Sequence, residues 1–185
     1  MRILLAGATG VLGRATLPHL DRHDVVGLTR SREKLKLIGD LGAEAVLCDV
    51  YDYETLLRIT QRVRPSVVVN FLTDLSAGSA EANNRVRRDG GANLLNAAIA
   101  TNASRLVIES VAFALDGDAA AALEQLERSA REFPREALLL RFGRFWGPGT
   151  SYGKAPEPPA IHIERAGAEA AGLLVDAPSG TYVVT

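Results

Sequence analysis

Cysteine is almost missing from this chain, Cys48 being its only one. A single thiol cannot close an intrachain disulfide, so nothing points to an oxidising compartment. Cys48 itself reads as a small buried hydrophobe at a strand end rather than as a catalytic thiol. Histidine is sparse too. His19, His23 and His162 stand apart, in no ligand-spaced set with cysteine or carboxylates, which argues against a metal site. No apolar run approaches the ~20 residues of a membrane span. The opening Ile3-Leu4-Leu5-Ala6 is too short for a signal-peptide core and runs into glycines, so it reads as a strand, and a cytoplasmic location is the expectation. An excess of one charge is also lacking. With 21 basic and 22 acidic residues the net charge is −1, which leaves no footprint for nucleic acid or an anionic membrane. Arg85, Arg87 and Arg88 make a local basic run that reads as a solvated helix face.

What is present is an alternation. Short apolar runs at Ile3–Ala6, Asp24–Thr29, Ala45–Cys48, Val67–Leu72, Arg105–Ser110, Ala137–Phe142 and Tyr182–Val184 are separated by helix-like segments. These lie at about 12–22, 33–41, 54–63, 82–100, 119–132 and 164–174, with Ser31 and Asp52 as candidate N-caps of the second and third. Runs such as Val67-Val68-Val69 are apolar without alternation, as in strands covered on both faces. The order predicts an α/β fold: a doubly wound parallel sheet with helices on both faces. At 185 residues one domain is expected. Pro148, Pro156, Pro158 and Pro159, with Gly147, Gly149 and Gly153, mark the stretch 147–160 as a loop.

Gly7-Ala8-Thr9-Gly10-Val11-Leu12-Gly13 follows the first strand and opens the first helix. Gly7 permits a tight turn, Gly10 lets the backbone approach a pyrophosphate, and Gly13 allows close packing of helix on strand. Free N–H groups at the helix start favour phosphate. The competing reading is a glycine-rich turn with a purely structural task. At the end of the second strand Thr29-Arg30-Ser31-Arg32 stands where NAD-binding sheets carry an acid for the ribose hydroxyls. No acid comes before Glu33, and two guanidiniums suit a 2′-phosphate. NADP is therefore the expected cofactor, with NAD as the alternative. Arg30 and Arg32 as mere decoration of an exposed turn is the competing reading.

The spacing Gly-x-x-Gly-x-x-Gly resembles the short-chain dehydrogenase/reductase superfamily, in its extended and atypical branch, the NAD-dependent epimerase/dehydratase family. Further stretches are similar to that family: Asp49-Val50, Val67 to Thr73 (VVVNFLT), 83–98 (NNRVRRDGGANLLNAA), Arg105 to Ser110 (RLVIES), Leu140 to Gly149 (LRFGRFWGPG) and Ile161-His162-Ile163. The resemblance implies one NAD(P)-binding Rossmann-type domain over residues 1–185. It implies cofactor contacts from Gly7, Thr9, Gly10, Val11, Leu12 and Gly13, adenine contacts from Asp49 and Val50, and ribose and nicotinamide contacts from Phe71, Leu72 and Thr73. Ser110 would be the catalytic serine, orienting a small carbonyl or hydroxyl substrate. Its competing reading is a strand-end serine satisfying a neighbour.

The family's Tyr-x-x-x-Lys pair is absent. No tyrosine or lysine lies between Ser110 and Phe133; counting back from Glu124 puts their positions at Asp116 and Ala120. Tyr152 and Lys154 have the wrong spacing. About 36 residues follow Gly149, so little or no separate substrate domain is expected. Phe145 and Trp146 are candidates either for lining a substrate crevice or for packing. The resemblance implies a homodimer through the helices near 82–100 and 119–132. Two functions stay open: an NAD(P)-dependent oxidoreductase or epimerase-like enzyme, and a non-catalytic dinucleotide-binding module.

Overall fold

The computed structural model describes residues 1–75 and 79–185. In chain order the strands are β1 (Arg2–Ala6), β2 (Asp24–Thr29), β3 (Glu44–Leu47), β4 (Val67–Asn70), β5 (Arg105–Val111), β6 (Glu136–Phe142), β7 (Arg144–Trp146), β8 (Ala160–His162) and β9 (Gly180–Val184). Seven of them form one sheet in the order β3-β2-β1-β4-β5-β6-β9, with every neighbouring pair parallel. The helices are α1 (Val11–Thr16), α2 (Leu35–Asp40), α3 (Tyr53–Val63), α4 (Ala80–Arg85), α5 (Gly91–Ala100), α6 (Gly117–Glu132) and α7 (Ile163–Asp176).

The unalternating strands have the predicted cause. In β1, Ile3 and Leu5 enter one apolar layer with Leu12, Phe142, Ala166 and Leu174, while Leu4 and Ala6 enter another with Leu56, Leu94, Ala97 and Leu126. Successive side chains leave a strand on opposite faces, so both faces must be covered. Cys48 is buried in the second layer, where desolvation first, then Asp49 and Asp52, push its thiol up to about 11. That is an inert, packing thiol.

The α1 and α7 helices touch at Gly167, where a Cβ would stand 2.3 Å from the Ala15 carbonyl oxygen. This close crossing lets the late helix fix the early one, and with it the glycine turn.

Local departures have local causes. The first helix ends at Thr16 and continues as a 3₁₀ turn over Leu17–His19, because Pro18 brings no N–H. Asp52 caps α3 by accepting from the Thr55 N–H at 3.1 Å. Ser31 makes no side-chain cap bond, and a 3₁₀ turn over Arg32–Lys34 precedes α2. Between α4 and α5, Val86–Gly90 is π-helical. The Gly/Pro stretch runs between β7 and β8, a small parallel pair that the sequence reading left out, and Ala160 already belongs to β8.

Candidate functional site

The strand order reverses between β1 and β4, and the carboxyl ends of those strands flank the crevice where open α/β sheets bind ligands. The glycine turn lies at that point. Gly7 has φ +88°, and a Cβ on it would stand 2.1 Å from the Phe71 carbonyl oxygen, so turn and β4 end touch backbone to backbone. At Gly13 a Cβ would come within 2.3 Å of the Gly7 oxygen and 2.8 Å of the Ala8 Cα. Gly10 differs. Among the described residues a Cβ there would meet only the Gly7 oxygen, at 3.2 Å, which leaves that side open. Two glycines serve packing and one faces space, the division a phosphate cradle requires. Thr9 and Val11 are half-buried, and Leu12 is buried.

Beyond β3, Asp49 is exposed and accepts from the Tyr51 N–H at 3.0 Å, while the buried Val50 offers its carbonyl to Asn93 Nδ2 at 2.8 Å. Arg30 and Arg32 are both exposed at the end of β2. Arg30 Nη2 donates to the Asp74 carboxylate, whose side chain is 10% exposed. Asn83 Oδ1 fixes the Asp74 backbone N–H at 3.0 Å. The basic run on the fourth helix is not one solvated face. Arg85 stacks on the Tyr51 ring at 4.2 Å, Arg88 pairs with Asp118, and Arg87 is half-buried.

Next to the turn, Gly10, Val11, Leu12, Phe71, Thr73 and Phe145 line a narrow crevice together with Glu109. Leu72 is half-buried beside it, its N–H donating to Asn70 Oδ1 at 3.1 Å. Phe145 fills both suggested roles, packing on Phe142 at 5.3 Å while lining the crevice; Trp146 packs edge-on against His162 at 4.5 Å. The sequence reading missed Glu109. Its signal was a charge interrupting the apolar run Arg105 to Ser110. Burial pushes its carboxyl up to about 7, against the opposing pull of Arg87. Arg87 is in turn pushed below its ordinary value by burial, with Glu109 opposing.

Ser110 leaves β5 on the other face. It is buried, and its hydroxyl donates to Glu127 Oε1 at 2.6 Å. Glu127 also accepts from Arg141 Nε at 2.9 Å, and Arg141 stands opposite Ser110 in the strand register. Burial alone would raise the Glu127 carboxyl, but the Arg141 and Ser110 hydrogen bonds outweigh it and hold it below its ordinary value. Glu124, by contrast, reaches only Arg128. The glutamate anchored to the sheet is therefore Glu127, while Asp116 is exposed just before α6 and Ala120 is half-buried in its first turn. Leu123 borders a wider cleft of about 380 Å³ that Phe113, Glu127, Arg141 and Val183 also line. Tyr152 is exposed in the late loop, its carbonyl accepting from the Gly147 N–H at 2.9 Å.

A parallel doubly wound sheet with a glycine cradle at its switch point defines a nucleotide-binding domain. The chain belongs to the NAD(P)H-binding family, whose pattern matches residues 7–138. It is 34% identical over 186 residues to a 3-diazoavenalumate denitrifying reductase of a Streptomyces species, with 83% of this chain and 59% of that protein covered. It thus spans about three-fifths of the length of that curated relative. Solved structures share the fold. WbmG of Bordetella bronchiseptica, in complex with NAD, gives a TM-score of 0.80 at 18% identity over 100% of this chain and 72% of that one. The UDP-Glc/GlcNAc 4-epimerase of Campylobacter jejuni gives 0.81 at 14% identity, over 98% and 77%. The structural neighbours include a UDP-glucose 4-epimerase of Thermus thermophilus and a protein of Bacillus halodurans named as an NAD-dependent epimerase/dehydratase, in line with the family that the sequence resembles.

Proposed function

We propose that this chain is an NADP(H)-dependent reductase of a small carbonyl compound, working in the reverse sense on the corresponding hydroxyl. The observation that carries the reading is the open side of Gly10, at the switch point and in front of a crevice that ends on Phe71, Thr73 and Glu109. Bound NADPH supplies the hydride. The protein supplies the hold: backbone N–H groups of the turn from Gly7 to Gly13 for the pyrophosphate, Asp49 and Val50 for adenine, Arg30 and Arg32 for the 2′-phosphate, and Phe71, Leu72 and Thr73 for the ribose and nicotinamide. Ser110 is assigned the substrate-orienting hydroxyl, which requires it to share its proton between Glu127 and substrate. We take residues 1–185 as a single domain acting in the cytoplasm as a homodimer.

The vacant tyrosine and lysine positions favour a second substrate class. The Streptomyces relative is named for the reductive loss of nitrogen from a diazo compound. For the diazonium form of such a compound, a hydride added to the carbon bearing nitrogen expels N₂ with the C–N bonding pair, and that step needs no proton from the protein. The reading is tested by fluorescence titration with NADPH, followed by a screen of small aldehydes, ketones and aryl diazonium ions. Turnover of carbonyls supports the first class, turnover of diazonium ions alone supports the second, and cofactor binding without turnover of either leaves a binding module.

A further inference from the structure

Reduction of a carbonyl needs a proton as well as a hydride, and no tyrosine or lysine lies between Ser110 and Phe133 to supply it. We propose that Glu109 is the proton donor and acceptor of the crevice, set half-buried in the wall it shares with the glycine turn. The inference rests on the proposed carbonyl reductase reading.

Three observations converge on Glu109. It stands one residue before Ser110 at the carboxyl end of β5, and alternation along the strand sends it to the opposite face. On that face it lines the crevice with Gly10, Val11, Leu12, Phe71, Thr73 and Phe145, so it shares a wall with the open side of the glycine turn. It makes no ion pair within 4.0 Å among the described residues, so its carboxyl is not spent on a structural partner. Ser110, on the other face, is committed to Glu127.

The surroundings fit an acid–base group. The α1 helix and the turn present Gly10, Val11 and Leu12, the chain after β4 presents Phe71, Thr73 and Leu75, β7 presents Phe145, and β6 places Leu140 in register. None of these titrates. Among the described residues the one charged group whose field acts on Glu109 is Arg87, on the π-helical turn Val86–Gly90. Apolar walls raise a carboxyl and a nearby guanidinium lowers it; burial wins, and the group titrates at about 7. A general acid is most effective when its pKa lies near the working pH. π-bulges recur at functional sites, which is consistent with Arg87 being displayed from one.

The step balances simply. The O–H bond of protonated Glu109 breaks as an O–H bond forms on the substrate oxygen. The carbonyl carbon takes the hydride of the reduced cofactor, which leaves oxidised. Solvent returns the proton to the Glu109 carboxylate. In the reverse direction the carboxylate accepts the hydroxyl proton.

The test compares the full chain with its Glu109→Gln and Glu109→Asp variants. The first readout is NADP⁺ binding between pH 5.5 and 8.5. The oxidised nicotinamide ring is cationic, so ionised Glu109 should tighten wild-type binding by about three- to tenfold as pH rises through 7. Glu109→Gln should lose that increment, and NADPH, with a neutral ring, should not show it. The variant also serves as the control for ionisation of the cofactor's own phosphate. The second readout is carbonyl reduction, which should fall above about pH 7 in wild type and drop by about 100-fold or more in Glu109→Gln, with the aspartate variant partly restored. An identical pH dependence of NADP⁺ binding in wild type and Glu109→Gln overturns the inference whether or not a substrate has been found. So does carbonyl turnover unaffected by Glu109→Gln. If neither protein binds NADP⁺ or NADPH, the reductase reading itself fails and the inference falls with it.

Discussion

Arg30 donates from Nη2 to both carboxylate oxygens of Asp74, at 3.1 and 3.0 Å. The guanidinium proposed to hold a 2′-phosphate is thus already shared with a buried acid. Two effects compete: Asp74 holds Arg30 in place, and its charge repels a phosphate. At this range like-charge repulsion outweighs what a single ion pair gains from ordering an exposed side chain. Asp74→Asn should therefore tighten NADP several-fold and leave NAD unchanged. Arg30→Ala should weaken NADP by about 1.5 kcal/mol, the low end for a hydrogen bond to a charged group, because Asp74 neutralises part of the charge. Paired titrations with the two cofactors check both. A wild type that binds NAD more tightly than NADP overturns the preference.

The Ser110–Glu127–Arg141 network is a stability device whatever else it does. The folded-state carboxyl of Glu127 is held below the unfolded value of 4.5. Its stabilisation is therefore present above pH 4.5 and is lost as pH falls through the lowered folded value. Arg141→Met removes the partner from a side chain only 9% exposed. It should cost about 2–4 kcal/mol at pH 7, reduced from the figure for a fully buried pair because Arg141 is partly solvated. Ser110→Ala should cost about 1 kcal/mol. Thermal melts at pH 7 and pH 3.5 give the comparison, and the Arg141→Met deficit should shrink in acid. A loss of turnover in Ser110→Ala well beyond its loss of stability would support the substrate-orienting role. Unchanged turnover would remove Ser110 from the site.

The sequence carried the sheet because its evidence is local: apolar runs without alternation, and glycines at a strand end. It carried the turn for the same reason at Gly13, whose Cβ would strike its sequence neighbours Gly7 and Ala8, whereas Gly7 is required by the Phe71 carbonyl that strand order brings near. The reading failed where side chains meet across elements. Along α6 the sequence does not distinguish Glu124 from Glu127, and only the register of β5 on β6, which sets Ser110 beside Arg141, shows that Glu127 is the one bonded to the sheet. Arg87 reads in sequence as one of three arginines in a charge run, and nothing in that run signals the π-helical turn on which it sits half-buried. Glu109 was hidden inside a strand that otherwise reads as core.

Glu109 also leaves a trace in stability that needs no substrate. Its folded-state value of about 7 lies above the unfolded 4.5, so the native state binds more protons between those limits. The contribution is fully present below pH 4.5 and is lost as pH rises through about 7, the opposite sense to Glu127. Glu109→Gln, which cannot ionise, should gain on wild type progressively between pH 4.5 and 7 and hold a constant advantage above. Chemical denaturation at pH 5, 6, 7 and 8 measures it. A stability difference independent of pH would mean that Glu109 titrates as an ordinary carboxyl.

Helix pairing across a two-fold axis can be judged against the outward residues of α6. Asp118, Glu124, Gln125, Arg128 and Glu132 are exposed there, and Ile99 at the end of α5 is 40% exposed. Such a face is polar, so the proposed homodimer should be salt-sensitive and of modest affinity rather than obligate. Light scattering at micromolar concentration, in low and high salt, should show dimers that loosen with salt. A monomer at every concentration and salt would exclude the assembly.

The three glycines of the turn should separate into two classes on substitution. A Cβ on Gly7 would meet the Phe71 carbonyl oxygen at 2.1 Å, and one on Gly13 the Gly7 oxygen at 2.3 Å. These are backbone atoms that cannot swing aside, and Gly7 also has φ +88°. Gly7→Ala and Gly13→Ala should therefore damage the fold itself, by a few kcal/mol, as expected for overpacking joined to backbone strain. Gly10 has φ −71° and ψ 170°, an ordinary extended conformation, and its Cβ would meet protein only at 3.2 Å. Valine adopts such backbone angles readily. Gly10→Val should accordingly melt within a few degrees of wild type while placing its methyls where the pyrophosphate must lie. Affinity for NADP and NAD should fall together, by about 100-fold or more, since both share that group. Melting curves and NADPH fluorescence titrations on the three variants check the division. A Gly10→Val protein that binds cofactor like wild type would mean that the phosphates lie elsewhere, and the site would have to be moved off the turn.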